Sequence, residues 1–141
     1  MEPKELEEKK KKGWIHAWMM IEVMAVSEQA VRSALEQHLA QLGREKKTLV
    51  ARQDIKEMKK IANPFPNVTE AHSLVAEVEV LAEDFDTLVY LAMNYGPSAI
   101  EILSPETIRM PLGEAQGILN SVADLIHKFA RQGLGGIVIR S

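Results

Sequence analysis

The sequence predicts an α+β fold, in which one sheet is covered by helices and a further helix follows at the end. Three observations carry that prediction. Apolar residues alternate with a period of two in residues 14–26 and 73–82. Capped apolar stripes of helical period occupy residues 27–42, 84–95 and 112–131. The segments follow one another as strand, helix, strand, strand, helix, strand, helix.

The first strand, within GWIHAWMMIEVMAV at 13–26, is apolar on both sides. Ile15, Ala17, Met19, Ile21 and Val23 fall on one side of an extended chain, and Trp14, His16, Trp18, Met20, Glu22 and Met24 on the other. A sheet with one wet face should be polar on that second side, yet both tryptophans stand there. Ser27 then offers an N-cap, with Glu28 in the first turn. Ala30, Val31, Ala34, Leu35, His38, Leu39 and Leu42 recur at helical spacing, and Gly43 closes the helix as a C′ residue.

Residues 48–61 read as a second strand, too charged in their latter half for a central place and therefore at an edge. NPFPN at 63–67 cannot pair inside a sheet, because proline lacks an N–H, so a loop is expected there. SLVAEVEVLA at 73–82 is the third strand, with Leu74, Ala76, Val78 and Val80 on one side and Val75, Glu77, Glu79 and Leu81 on the other. Asp84 caps a helix ending at Gly96, whose buried stripe is expected to be Phe85, Leu88, Val89, Ala92 and Tyr95. SAIEIL at 98–103 is a short fourth strand. Pro105 and Pro111 flank a turn or short helix carrying Ile108. A last helix from about 112 to 131 bears Leu112, Ala115, Ile118, Leu119, Val122, Ile126 and Phe129. GLGGIVIRS closes the sequence as a glycine hinge and an apolar tail.

The order βαββαβ predicts a ferredoxin-like sandwich with an additional C-terminal helix. Its crossovers put two helices on one face and leave the other bare. In domain terms, residues 1–12 are a charged flexible tail, 13–132 the ferredoxin-like domain with its helix, and 133–141 the hinged tail. The tail at 1–12 carries five lysines and four glutamates, reads as a solvated, frayed helix, and should be dispensable for folding.

Residues 75–130 resemble the C-terminal extension that follows the WYL domain in bacterial transcriptional regulators. The resemblance is carried by LVYLAMNYGPSAIEILSPETI, with Gly96, Glu101, Leu103 and Pro105 at corresponding places. It implies a ferredoxin-like module that serves oligomerisation or regulation rather than catalysis. The sequence departs from the pattern by having no helix-turn-helix and no WYL domain ahead of it, so DNA binding does not carry over. As a whole the chain also resembles small stand-alone proteins of archaea.

Composition narrows the function classes. Seventeen basic and twenty acidic side chains give a net charge of −3, which offers no broad field for a nucleic-acid backbone. The absence of cysteine removes disulfides, thiolate-bound metals and thiol catalysis, and fits a cytoplasmic setting. No apolar run is long enough to cross a bilayer, so no membrane partner is expected.

His38 is expected to be a core or boundary residue satisfied by a neighbour, His72 a solvated loop residue, and His127 a partner for the C-terminal end of the last helix. Ser73, Ser98 and Ser104 have no local base, and Tyr90 and Tyr95 read as packed. No catalytic residue, metal ligand set or cofactor is assigned, and an enzyme has no support. His16 and Glu22 lie about 20 Å apart along a strand and cannot share an ion. The candidate interface comprises Trp14, His16, Trp18, Met20, Glu22, Glu77, Glu79 and Glu101 on the bare sheet face. Aromatic residues and methionine are enriched in interfaces, so a homo-oligomer, expected as a dimer, or another protein partner would cover it, unless the last helix and the IVIR tail fold back over the face within one chain. The alternative is a sensor of small molecules or metals resembling ACT domains in fold, without their ligand motifs.

Overall fold

A computed structural model of the chain describes residues 1–132. The hinged tail expected at 133–141 lies outside the described residues. The fold class is α+β, a five-stranded antiparallel sheet with four helices among the described residues. The chain divides at Ile108: residues 1–108 form one unit and a second begins at Arg109.

In the first unit, α1 (Pro3–Lys11) leads into β1 (Ile15–Ala25), followed by α2 (Glu28–Leu42), β2 (Thr48–Ile55), β3 (Lys59–Phe65), β4 (Val68–Ala82), α3 (Phe85–Tyr95) and β5 (Ala99–Ser104). The strand order is β2-β4-β1-β5, and β3 also pairs with β4. The two longest strands are thus central. β1 runs antiparallel to β4 from Ile15↔Ala82 to Ala25↔His72, and β5 pairs with the other side of β1.

The two-residue period of β1 and β4 decides which side is core. Ile15, Ala17, Met19 and Ile21 of β1 and Leu74, Ala76, Val78, Val80 and Ala82 of β4 are all buried in one cluster. Val31, Leu35, Leu39 and Leu42 of α2 and Leu88, Leu91 and Tyr95 of α3 close over them. The phase expected for β1 is therefore the one found. Ser27 caps α2, its Oγ accepting from the Ala30 N–H at 3.1 Å. Asp84 caps α3, its carboxylate accepting from the Thr87 N–H at 2.8 Å.

Several elements depart from the sequence expectation. The strand read at 48–61 is two strands, β2 ending at Ile55 and β3 beginning at Lys59, with residues 56–58 between them along one side of β4. NPFPN is not wholly a loop: β3 continues through Asn63 and Pro64 to Phe65. A register shift between Ala62 and Phe65, with Asn63 at φ 50°, lets an edge strand carry a proline that forms no ladder bond. β4 is correspondingly longer, so His72 is a half-buried strand residue rather than a solvated loop residue. Gly43 sits at the end of α2 with φ −65°, so it does not act as a left-handed C′ residue. Gly96 does, at φ 51°. Ala30 and Ala34 are exposed, and the buried stripe of α2 is narrower than its apolar stripe.

In α3 the buried set is Thr87, Leu88, Leu91 and Tyr95. Phe85, Val89 and Ala92, expected in the core, instead line a groove of about 390 Å³ with Leu88 and with Ile100 and Ile102 of β5. The helix lies over the inner strands β1 and β4, which leaves its flank above β5 open. Tyr90 is exposed rather than packed. The segment 105–111 forms no helix before α4 (Leu112–Gln132). Described by itself, α4 carries exposed Leu112, Leu119, Ile126 and Phe129.

Candidate functional site: the open face of the sheet

The face of the sheet opposite α2 and α3 is built by the alternate residues of β1 and β4. The antiparallel register sets Trp18 beside Glu79, Met20 beside Glu77 and Glu22 beside Val75, with Trp18 opposite Glu101 on its other side. Side chains opposite one another in adjacent strands point to the same face. Seven of the eight residues expected to share this surface are therefore brought together by pairing, and Trp14 stands just before the strand.

The acidic residues are not free charges. The Glu79 carboxylate accepts from His16 Nε2 at 2.8 Å through one oxygen and from Arg52 Nε at 2.7 Å through the other. The Glu77 carboxylate accepts from the Trp18 indole N–H at 3.0 Å and pairs with Lys56 Nζ at 2.7 Å. Lys56 also pairs with Asp54. One step further, Ser73 Oγ donates to Glu22 at 3.0 Å. The face thus carries rungs of hydrogen bonds between β1 and β4, one extended to Arg52 of β2 and one to Lys56 just beyond it.

These partners set the acidities. The Arg52 guanidinium holds the Glu79 carboxyl below its ordinary value, with the His16 hydrogen bond adding to this and partial burial opposing it. Lys56, and after it the Trp18 indole, do the same for Glu77. Both carboxylates are charged at neutral pH and are occupied as acceptors.

The tryptophans are accommodated in two ways. α1 lies against β4, and Lys9 Nζ stands 4.7 Å from the centre of the Trp14 ring. Leu81, on the open side of β4, is fully buried although it lies outside the main core cluster. Trp18 keeps a partly exposed ring with its polar edge tied down by Glu77. Beyond it, Glu101 and Leu103 of β5 are exposed.

Sequence reasoning missed Arg52 and Lys56. They lie at the sheet edge, Arg52 in β2 and Lys56 just after it, where charge reads as protection against mispairing, and only the tertiary structure puts them on Glu79 and Glu77. Among the other candidates, His38 behaves as expected, with Nε2 3.2 Å from the Tyr95 carbonyl and its ring 4.7 Å from the Tyr95 ring. Burial, with Glu45 accepting from the hydroxyl at 2.8 Å, pushes the Tyr95 phenol up. No group of three metal-ligating side chains occurs among the described residues. No helix among them is long and apolar enough to cross a membrane.

No curated protein matches the chain. A family model matches residues 16–140, which spans β1 through α4 and lends no weight to a WYL-type module. The chain belongs to the MJ0538 family.

Proposed function

We propose that this protein is a small oligomeric binding or regulatory module, acting in the cytoplasm, that presents its open sheet face to a protein partner. One observation carries the reading: the face holds a partly exposed tryptophan, two methionines and a set of carboxylates already paired and fixed in direction. A surface whose polar groups are held by neighbours loses little side-chain freedom on binding. Its aromatic centre and polar border match the anatomy of protein interfaces. The order β2-β4-β1-β5, with β3 set aside as an extension of the edge, supports the ferredoxin-like βαββαβ arrangement proposed for the core.

The test is the particle mass in solution. Light scattering at micromolar concentration should give twice the 15.8 kDa of one chain. A particle of the single-chain mass would remove self-association from the reading.

A further inference from the structure

The two edges of this sheet differ in kind. One edge, formed by β2 and β3 beside β4, carries Arg52, Lys56, Lys59, Lys60 and a proline-containing bulge. Such residues keep an edge from pairing with another chain. The other edge is β5, AIEILS, which has no lysine, arginine or proline and pairs only with β1 among the described residues. Its Ile100, Ile102 and Leu103 are exposed, at 43%, 41% and 45%. Its backbone offers a row of hydrogen-bonding groups beside an apolar strand surface.

We propose that β5 pairs with β5 of a second copy, antiparallel across a two-fold axis normal to the sheet, so that the two sheets become one. This rests on the self-association proposed above and assigns its surface. Such an axis sets one residue opposite its own copy. Centring on Glu101 would place two carboxylates side by side, which is unfavourable. Centring on Ile102 sets Glu101 near Leu103 of the other copy, with no like charges opposed; Leu103 is the extra residue of a bulge, since Ile102 pairs with Ala17 and Ser104 with His16. Pro105, which has no N–H to give, then ends the ladder.

The groove favours the same partner. Ile100 and Ile102 lie on the helix side of β5, opposite Met19 and Ala17, where Phe85 and Val89 form the far wall. Across the axis each groove faces the other, and Ile102 of both copies fills the seam. Because the axis is normal to the sheet, both open faces end on the same side. The dimer presents a double-width surface with two copies of Trp18.

The chain has no cysteine, so a cross-link reports one position only. Ile102→Cys in the full chain should give a disulfide-linked dimer under mild oxidation, since opposed Cβ atoms lie about 4.5–5.5 Å apart, near disulfide reach. Gln53→Cys, exposed on the opposite edge, should stay uncross-linked. Ile102→Lys should weaken the dimer at least tenfold with an unchanged circular-dichroism spectrum. A wild-type dimer in which Ile102→Cys links no faster than Gln53→Cys would place the interface elsewhere and overturn the β5 pairing alone. A wild-type monomer would overturn both the pairing and the self-association, leaving the edge to another segment or a foreign strand.

Discussion

Replacing Glu79 by alanine tests whether the polar ladder stabilises the fold or merely decorates it. Glu79 accepts from both His16 and Arg52, so the change orphans two donors of different standing. His16 is only 8% exposed, and its Nε2 would be left without its acceptor. Leaving a buried polar group unpaired costs about 1–3 kcal/mol. The Arg52 side chain is half exposed and regains water, so its share is within about 1 kcal/mol. The expected loss is about 2–3 kcal/mol. For a chain of this size each kcal/mol moves Tm by roughly 3–5 °C, so a drop of about 6–15 °C is expected. Urea unfolding followed by tryptophan fluorescence and circular dichroism measures it. Glu101→Ala, at an exposed position of β5, should change stability by less than about 0.5 kcal/mol. Glu79→Ala behaving like Glu101→Ala would refute the argument, because the His16 bond would then carry no weight. A double-mutant cycle with His16→Ala should recover most of the loss as coupling energy.

Lowering pH should weaken the fold from the same residues. Glu77 and Glu79 are held below their ordinary values, so their stabilisation is fully present above the unfolded carboxylate value of about 4.3 and is lost as pH falls through their folded-state values. Urea midpoints measured from pH 7 down to 3 should fall in that acid window, and less steeply in Glu79→Ala. Gly96→Ala forces a Cβ into the left-handed region at φ 51° and should cost about 1–2 kcal/mol, seen as a lower urea midpoint with unchanged slope. Deleting residues 1–12 should leave a folded chain with Tm lowered by several degrees, since α1 lies against β4 and Lys9 covers Trp14. An unchanged Tm would show that α1 contributes nothing to the fold.

Periodicity by itself determined which residues of β1 and β4 enter the core, because strand side chains alternate whatever the partner. The caps at Ser27, Asp84 and Gly96 were equally legible, since each satisfies backbone groups a few residues away. Most of the candidate face could be assembled in advance for the same reason. The tertiary structure decided what depends on register and orientation. Arg52 and Lys56 meet Glu79 and Glu77 across strands, and no local signal encodes a pairing between residues 21 to 27 positions apart. The split of residues 48–65 into β2 and β3 followed from where each half meets β4. The rotation of α3, which opened Phe85, Val89 and Ala92 to a groove, was set by its seat over β1 and β4. An apolar stripe fixes which side of a helix avoids water; the surface beneath it fixes which part of that stripe is covered.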